Sequence, residues 1–331
     1  MSHPSHPPVT LLLVSYNQED YIDEAIAGAV AQDYPNLEIV ISDDASKDAT
    51  WARINAYLGN YAGPHRVKLL RNPENLGIGG NIDQAVKQST GELIFIAGGD
   101  DVSLPKRVST MVSFWVAHEC KPDLIGAYLF DMDQSGKMLG TIKISKLEQY
   151  RSLDDWSRSP PHVIGAAQAW TRRLFDHFGG IPRGIVGEDM VMAFRAIGSA
   201  SAVTLPLPLV NYRRGGLSSR RKSLNAAAVI HGLTKKLNSS KTELRCMLDD
   251  ARKLGASPMT LAVLEQKLDK ENFIEHIFAA ESFGQKIRFC LQYATVPAAY
   301  RIRILTYAAA PWLLAPFFFL KRLRYRLASR S

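Results

Sequence analysis

The sequence contains few cysteines and lacks several motifs that mark common catalytic sites. Cys120, Cys246 and Cys290 are its three cysteines, far apart and odd in number. A disulfide framework or a zinc knuckle is therefore not expected, and this usage suits a reducing compartment. The patterns G-x-S-x-G and H-E-x-x-H are also missing from the sequence. Neither a nucleophile-elbow hydrolase nor a zinc protease is supported.

The N-terminus lacks an apolar run before Val9, so no secretory signal is expected. Residues 1–8, which are rich in proline and histidine, are predicted to be a disordered tail. The 331 residues are 46% apolar and 22% charged, which is typical of a globular protein. A chain of this length can form one large domain or two ordinary ones.

Acidic residues are missing from the C-terminal part of the chain. Residues 282–331 contain nine Lys and Arg and no Asp or Glu, whereas residues 1–281 carry 31 basic and 32 acidic side chains. The net charge of +8 is therefore a property of this C-terminal segment. Such a block indicates an anionic partner, either a membrane or a nucleic acid.

An apolar stretch within the same segment favours the membrane. Residues 304–320 form a run of 17 residues without a charge, followed by "KRLRYRLASR". A spanning helix needs about 20 apolar residues, and Pro311 and Pro316 lie inside this run. We expect residues 300–331 to lie in or dip into the bilayer interface, with the basic side chains on the cytoplasmic side. A buried C-terminal helix is the alternative, and no nucleic-acid partner is expected.

Strand and helix patterns alternate through the first part of the chain. Apolar runs at 9–17, 37–42, 65–72 and 91–98 predict strands, and amphipathic segments between them predict helices. This alternation predicts a parallel α/β sheet covered by helices, within a catalytic domain of residues 9–218. Further features are an extended segment at 202–214, whose prolines fit only an edge strand, and a helical region at 219–299.

Two pairs of aspartates follow predicted strands. Asp43 and Asp44 come after the second strand, and Asp100 and Asp101 after the fourth. Carboxyl ends of parallel strands share one sheet edge, where ligands bind in open α/β sheets, so four carboxylates are expected near one crevice. They repel one another unless a cation compensates them, which indicates Mg²⁺ or Mn²⁺ shared with substrate phosphates. Taken singly, each pair is also typical of a turn or a helix cap.

A glycine-rich loop and an acidic helix start are further candidates. In "NPENLGIGGN", Gly77, Gly79 and Gly80 allow close approach of the backbone to a ligand, and the next helix start offers N–H groups to an anion. Glu188 and Asp189 follow a glycine at the start of another helix. A carboxylate there can act as a general base, or it can simply cap the helix. An ordinary loop is the alternative for the glycines.

Arg213 and Arg214 lie close to glycines in "VNYRRGGLSSRRKS". Two adjacent guanidinium groups can clamp a diphosphate or another anionic group. A solvated basic loop is the alternative.

Taken in order, four segments resemble a family 2 glycosyltransferase with the GT-A fold. They are residues 9–50, 75–81, "GELIFIAGGDDVSLPKR" (91–107) and "GEDM" (187–190). The resemblance covers about residues 9–215 and implies a Rossmann-like, mostly parallel sheet flanked by helices. It also implies an inverting enzyme that uses a nucleotide-diphosphate sugar, with a UDP-sugar expected.

The resemblance also implies roles for individual residues. Asp189, with Glu188 beside it, is the expected general base, and Asp100 is the expected ligand of Mn²⁺ or Mg²⁺. Substrate contacts are expected from the ends of the first two strands, the glycine-rich loop and the later candidates: Ser15, Tyr16, Asn17, Asp43, Asp44, Asn75, Gly77, Asn81, Asp101, Arg213 and Arg214. Of these, Ser15 and Tyr16 pack around the nucleotide base and Asp44, with Asp43, recognises it.

One position departs from the family pattern. The acidic motif of the family is usually D-x-D, and here the run is Gly98-Gly99-Asp100-Asp101. A glycine therefore stands where the first carboxylate is expected, which weakens the prediction of a strict metal requirement.

The expected function is transfer of a sugar to an acceptor hydroxyl in the synthesis of a surface polysaccharide or a lipid-linked glycan. The expected location is cytoplasmic, with peripheral attachment to the inner face of the cell membrane. Three alternatives remain open: sugar transfer to a polyprenyl phosphate, nucleotidyl transfer, and a non-catalytic nucleotide-sugar binding protein at the membrane.

Overall fold

The computed structural model describes residues 6–215 and 225–328, with side chains up to Lys321. Most of the expected disordered tail (residues 1–8) and the expected domain boundary at residue 218 lie outside the described residues. Within the described chain, the carbonyls of His6 and Pro7 accept hydrogen bonds from side chains of the first unit. The chain divides into two compact units: Met1–Ser219 with Asp250–Ser257, and Arg220–Asp249 with Pro258–Ser331.

The first unit begins with four strands that alternate with three helices. These are β1 (Val9–Ser15), α1 (Ile22–Val30), β2 (Leu37–Asp43), α2 (Thr50–Leu58), β3 (Arg66–Arg71), α3 (Gly77–Lys87) and β4 (Leu93–Gly98). All four strands are parallel, because β1 pairs with β2 and β4, and β2 pairs with β3. Every residue of β1 and β2 is buried. The predicted strand–helix alternation is therefore present.

The rest of the first unit adds antiparallel pairs to the same sheet. Its elements are β5 (Val102–Ser103), α4 (Arg107–Ala117), β6 (Leu124–Met132), β7 (Met138–Ile142), α5 (Leu153–Arg158), β8 (Gln168–Thr171), α6 (Arg172–His177), α7 (Glu188–Gly198) and β9 (Ala202–Arg213). The strand order is β3-β2-β1-β4-β8-β6-β9-β5, and β7 pairs with β6. β8 is antiparallel to β4 and β6, whereas β9 is parallel to β6. The predicted α/β fold with a mostly parallel sheet is confirmed.

Helices cover both faces of this sheet. Leu11 and Leu13 of β1 join a core cluster with residues of α1 and α4. Leu12, which is fully buried, faces the opposite side because successive side chains of a strand alternate. The helix α3 also contacts β1 and β2. Burial on both faces explains why these strands are nearly continuous apolar runs in the sequence.

The prolines of β9 lie where this strand pairs on one side only, as predicted for an edge. In the sheet order β9 lies between β6 and β5, but among the described strands β5 pairs with β9 only at Val210 and Asn211. Pro206 and Pro208 also fall at a break in the pairing with β6, where the register shifts between Ala127 and Tyr128. Proline cannot donate to a ladder, and such a position accommodates it.

The second unit is helical in its described part. Its helices are α8 (Ala226–Lys235), most of α9 (Leu237–Lys253), α10 (Pro258–Ala279), α11 (Phe283–Gln292), α12 (Ala298–Ala309) and α13 (Ala315–Ala328). Phe273 and Ile277 of α10 pack with Ile304 and Tyr307 of α12 in a hydrophobic core of its own. The predicted helical C-terminal region is present.

The apolar stretch at residues 304–320 is broken into two helices. α12 ends at Ala309, a short 3₁₀ turn covers Pro311–Leu314, and α13 follows. Among the described residues, no single helix has the length and apolar character needed to cross a membrane. α12 and Pro311–Lys321 meet that requirement only together, as a pair bent by 112°. Pro311 begins the turn, a position that tolerates its missing N–H.

A buried ion pair within the first unit yields a stability prediction. Arg195 of α7 donates from Nε to Asp250 Oδ2 at 2.7 Å, and the two side chains are 1% and 8% exposed. The substitution Asp250→Ala leaves a buried guanidinium without this carboxylate. We expect the free energy of unfolding to fall by about 3–5 kcal/mol, measured by denaturant titration with circular dichroism.

The matched control is Asp23→Ala, which removes the partner of Arg53 in a pair whose side chains are 43% and 47% exposed. This change should have little effect, because an exposed pair is screened by water. Equal unfolding curves for the Asp250 variant and the unmodified protein would contradict a stabilising role for the buried pair.

Candidate active site

The two aspartate pairs flank the end of β1, as their positions in the sequence predicted. Ser15 pairs with Asp43 of β2, and Val14 pairs with Gly98 of β4. The chain continues this arrangement past the strands, since the N–H of Asp44 donates to the Ser15 carbonyl at 2.9 Å. Parallel pairing therefore brings both acidic segments to the same edge of the sheet.

Asp44 caps the start of α3. Its Oδ1 accepts from the backbone N–H of Leu76 at 2.8 Å and from Asn72 Nδ2 at 2.8 Å, and its Oδ2 accepts from the N–H of Gly77 at 2.9 Å. The residue is only 2% exposed. Both carboxylate oxygens thus already bind the loop that precedes α3, and the predicted recognition of a nucleotide base by Asp44 stays a prediction.

Asp43 is fully buried and also bonded. It accepts hydrogen bonds from the backbone N–H and the hydroxyl of Ser46, and Arg71 Nε lies 3.4 Å from its Oδ2. Within the described ranges, no group of three or more His, Cys, Asp or Glu side chains is placed to hold a metal. The expectation of four carboxylates near one crevice is met in part: both pairs lie at the same sheet edge, but Asp43 and Asp44 are already bonded to other groups of the protein.

The pair after β4 has a different environment. A Cβ placed on Gly98 would lie 3.0 Å from Asp100 Oδ1 and 3.1 Å from Asp101 Oδ2, so both carboxylates face the open side of this glycine. Asp101 is 5% exposed, and its Oδ1 accepts from the N–H of Arg213 at 2.8 Å. Asp100 is partly exposed and is the more accessible of the two.

Burial and mutual repulsion destabilise the charged forms of this pair. Burial, opposed in part by Arg213 and the Gln18 amide, raises the pKa of Asp100. Burial and the neighbouring Asp100 carboxylate raise the pKa of Asp101 well above its usual range. A bound cation would relieve both effects. Mg²⁺ is commonly held by one or two carboxylates together with substrate phosphates, so this pair fits such a cation.

Gln18 is a residue of this site that the sequence did not reveal. Its side chain lies close enough to the Asp100 carboxylate to lower the pKa of that group against the effect of burial. Its Oε1 accepts from the N–H of Tyr16 at 3.3 Å. A Cβ on Gly99 would approach this same oxygen to 2.4 Å. Gly99 is therefore required for Gln18 to reach Asp100, and the glycine was the available signal.

The predicted base-binding residues occupy two kinds of position. Tyr16 is 41% exposed at the end of β1, where a ligand can stack on it. Ser15 is 3% exposed, and in the described structure its Oγ is buried without a hydrogen-bond partner. Asn17 instead joins two loops: its N–H donates to Ser46 Oγ at 2.9 Å, and its Oδ1 accepts from the N–H of Lys47 at 2.9 Å. Its φ of 51° lies in the left-handed region, which asparagine tolerates.

The glycine-rich loop contacts protein at the positions expected to face a ligand. The N–H of Gly79 donates to the Ile185 carbonyl at 3.2 Å, and a Cβ there would lie 2.8 Å from that oxygen. Asn81 is buried and accepts from Ser42 Oγ at 2.6 Å. Gly77, with a φ of +75°, has open space where a Cβ would be, but Asp44 already takes its N–H. The proposed anion site at the start of α3 is thus filled by Asp44.

Asn75 is exposed at the same loop. Its Nδ2 donates to the Asp44 carbonyl at 3.3 Å, and its own carbonyl accepts from Arg183 Nη2 at 3.3 Å. It is therefore the residue of this loop that remains both accessible and anchored.

Glu188 and Asp189 begin α7, as predicted. Glu188 is 5% exposed, and Asp189 is partly exposed. A Cβ on Gly165 would lie 2.7 Å from Glu188 Oε1 and 3.4 Å from the Cβ of Asp189. Gln168 Nε2 donates to the Asp189 carbonyl at 3.2 Å. Gly165 and Gln168, which carry no sequence motif, therefore fix the position of the acidic helix start.

One buried arginine connects β4, which precedes Asp100, with Gln168 of β8, which contacts the start of α7. Arg107 is fully buried, and its Nη2 donates to the carbonyls of Ile96 at 2.7 Å and Gln168 at 3.3 Å. Burial lowers the pKa of Arg107 to about 10, while the carboxylate of Asp101 acts in the opposite direction. The ends of β4 and β8 are thereby held together beneath the site.

The guanidinium groups of both arginines predicted to bind an anion already contact carbonyl or carboxylate groups of the protein. Arg213 is 3% exposed, donates to the carbonyls of Asp100 and Gln134 at 3.0 and 3.2 Å, and pairs with Glu24 at 2.7 Å. Its guanidinium also lies 4.5 Å from the centre of the Tyr21 ring. These contacts oppose the predicted diphosphate clamp, because the guanidinium holds the loops around Asp100.

Arg214 forms a two-point ion pair with Asp131. The arginine side chain is 63% exposed and the carboxylate 9% exposed. Of the two arginines, Arg214 is thus the one that solvent and ligands can reach.

The raised pKa of Asp101 predicts that the site is built at a cost in stability. In the unfolded chain this carboxyl has an ordinary pKa of about 3.9. The pKa of Asp101 is higher in the folded protein than in the unfolded chain. Protonation of this carboxyl therefore contributes its full stabilisation below the ordinary pKa, and the contribution is lost as the pH rises through the pKa of the folded protein. Asp101→Asn keeps an acceptor for the Arg213 N–H without the charge.

At neutral pH in a chelator, we expect Asp101→Asn to unfold at a higher temperature than the unmodified protein. The difference should shrink as pH falls, and a series of thermal melts measures it. Asp176→Asn, at an exposed position, is the control and should show no such trend. A variant that is less stable at every pH would contradict the account.

Comparisons with known proteins agree with this fold. The model of the family described as Glycosyl transferase family 2 matches residues 10–179. EpsE of Bacillus subtilis is 30% identical over 132 residues, which are 40% of this chain and 46% of EpsE. The Escherichia coli protein WfaP, named as a UDP-Glc:α-D-GlcNAc-diphosphoundecaprenol β-1,3-glucosyltransferase, is 30% identical over 106 residues, 32% of this chain and 40% of WfaP. The chain thus spans less than half of either relative.

Solved structures show the same fold across nearly the whole chain. Residues 1–349 of Staphylococcus aureus TarS, in complex with UDP-GlcNAc, have a TM-score of 0.57 at 17% identity, with 91% of this chain and 87% of that chain covered. The mannosyltransferase PcManGT of Pyrobaculum calidifontis, in complex with GDP-Man and Mn²⁺, has a TM-score of 0.54 at 18% identity, with 93% and 87% covered. The family match includes more than half of the sequence, and the chain belongs to glycosyl transferase family 2.

Proposed function

We propose that this chain transfers a sugar from a nucleotide-diphosphate sugar to an acceptor hydroxyl, with inversion at the anomeric carbon. The observation that carries the proposal is the pair Asp100–Asp101, which faces the open side of Gly98 beside the end of β1. Ligands of open α/β sheets bind at this edge. Family membership and structural neighbours that hold UDP-GlcNAc or GDP-Man support a nucleotide-sugar as the ligand.

The donor would lie along the end of β1. The exposed ring of Tyr16 offers a stacking surface for the base, and the unpartnered Ser15 hydroxyl offers a polar contact beneath it. A UDP-sugar is the donor we propose. A divalent cation, Mn²⁺ or Mg²⁺, held by Asp100 with Asp101, would neutralise charge on the leaving diphosphate. Gln18 would keep the Asp100 carboxylate turned toward that position.

Asp189 would act as the general base. Its carboxylate takes the proton of the acceptor hydroxyl while the hydroxyl oxygen bonds to the anomeric carbon. The bond from that carbon to the diphosphate breaks in the same step, and the nucleoside diphosphate leaves with the bonding electrons. A single displacement of this kind inverts the anomeric configuration. The contacts of Gly165 and Gln168 with the start of α7 would hold Asp189 in place for it.

The acceptor we propose is a glycan, or a glycan on a lipid, at the inner face of the cell membrane. The basic C-terminal segment and the bent pair of α12 and Pro311–Lys321 support peripheral attachment of a cytoplasmic protein there. The name of the relative WfaP, which specifies a diphosphoundecaprenol-linked acceptor, agrees with this class.

The substitution Asp189→Asn tests the reaction. We expect kcat to fall by about 10²- to 10⁴-fold, because the acceptor hydroxyl loses its base, while KM for the donor changes little. Release of nucleoside diphosphate with a glycan acceptor measures it, and Asp176→Asn is the matched carboxylate control. Activity close to that of the unmodified enzyme would contradict the assignment and favour transfer to a polyprenyl phosphate, which needs little base catalysis.

A second variant tests the surroundings of Asp189 without removing its carboxylate. In Gly165→Ala, the new methyl group collides with Glu188 Oε1, so the carboxylate beside Asp189 must move. A lower kcat at unchanged donor KM is expected in the same assay. Gly232→Ala is the control, since a Cβ there meets open space and α8 accepts alanine. An unchanged kcat for Gly165→Ala would show that the packing of Glu188 against Gly165 does not matter for the reaction.

A further inference from the structure

The helix α11 exposes a row of large apolar side chains on one face. Phe283 is 62% exposed, Ile287 is 37% exposed and Leu291 is 72% exposed. Residues four apart lie above one another on a helix, so these three form one continuous strip, here called the α11 strip. Surface residues of this size are usual singly, whereas an aligned row indicates a binding surface.

The α11 strip is distinct from the side of the helix that packs on the core. Phe289, Cys290 and Tyr293 pack against the core of the second unit. A capping box fixes the start of the helix, since Ser282 Oγ accepts from the N–H of Gln285 at 3.2 Å and the Gln285 side chain accepts from the N–H of Ser282. The orientation of the strip is therefore set by the fold of this unit.

Charge identifies the partner that fits this strip. Lys286 and Arg288 lie on the same helix, and no acidic residue occurs anywhere in residues 282–331. A second copy of the chain, docked through the same face, would bring two such basic segments together. An anionic bilayer instead satisfies both properties, because its acyl region accepts apolar side chains and its phosphates attract arginine and lysine.

Exposed apolar side chains recur in the helices that follow. Trp312 is 71% exposed, Phe317 57%, Phe319 61% and Leu320 58%. These residues belong to the segment already proposed to contact the membrane, whereas α11 precedes it. Two separate apolar surfaces of one basic, acid-free segment thus have the same chemistry.

We propose that α11 is a second membrane-contact element, with the α11 strip inserted at the headgroup boundary of an anionic bilayer and Arg288 at the lipid phosphates. This inference rests on the proposed attachment to the membrane and extends it beyond residues 300–331. Attachment then has two anchors, and loss of either one weakens binding without abolishing sugar transfer in solution.

The test combines Phe283→Gln, Ile287→Gln and Leu291→Gln in the full chain. Binding is measured by cosedimentation with vesicles of phosphatidylcholine and phosphatidylglycerol, and with vesicles of phosphatidylcholine alone. We expect the triple variant to bind the anionic vesicles at least about tenfold more weakly, because insertion of each such side chain contributes substantially to partitioning. Donor hydrolysis in the absence of vesicles should stay unchanged, which shows that the variant is folded.

The matched control is Met259→Gln, at an apolar residue of α10 that is 40% exposed, and it should bind as the unmodified protein does. If the triple variant binds normally while deletion of residues 300–331 releases the protein, the α11 proposal is wrong and the attachment proposal stands. If the full chain itself does not bind anionic vesicles, both are wrong. A change from dimer to monomer with unchanged vesicle binding would instead assign the strip to a second copy of the chain.

Discussion

The site depends on two adjacent carboxylates, which repel one another in a position that is largely shielded from water. Asp100 and Asp101 both turn toward Gly98, and burial together with repulsion raises the pKa of each. The surrounding groups compensate only in part: the N–H of Arg213 donates to Asp101, and the side chain of Gln18 lowers the pKa of Asp100. A folded protein keeps such a costly pair where function requires it. A divalent cation, itself bound to the diphosphate of the substrate, would supply the missing positive charge.

Gly98 changes how such a cation can be held. A side chain at this position would press on both carboxylates, so the present arrangement of Asp100 and Asp101 requires the glycine. Among the described residues, no third His, Cys, Asp or Glu joins these two as a metal ligand. This segment therefore offers two ligands at most, and the phosphates of the substrate would complete the coordination. A cation would then bind well only together with the nucleotide. In this account, the glycine at the position of the expected first aspartate makes metal and donor binding interdependent.

Local patterns sufficed to predict the fold class and the sheet edge, because buried strands and amphipathic helices leave periodic signals in the sequence. The family was predicted from the resemblance of four ordered motifs. Local patterns could not show contacts between residues that lie far apart along the chain. Asp44 looks like a ligand residue, but its partners come from the loop at Asn72–Gly77; Gly79 approaches Ile185, more than a hundred residues away. Arg213 reads as an anion clamp until its contacts with Glu24 and Gln134 are seen. Gln18 and Gly165 matter only through shape, which no motif records.

Calorimetric titration tests most directly whether Asp100 couples a divalent cation to the nucleotide. Uridine diphosphate, or guanosine diphosphate if uridine diphosphate does not bind, would be titrated into the unmodified protein and Asp100→Asn, each with and without Mn²⁺. The account predicts that Mn²⁺ tightens nucleotide binding in the unmodified protein and that this effect is lost in the variant. Equal tightening in both proteins, or none in the unmodified protein, would contradict it.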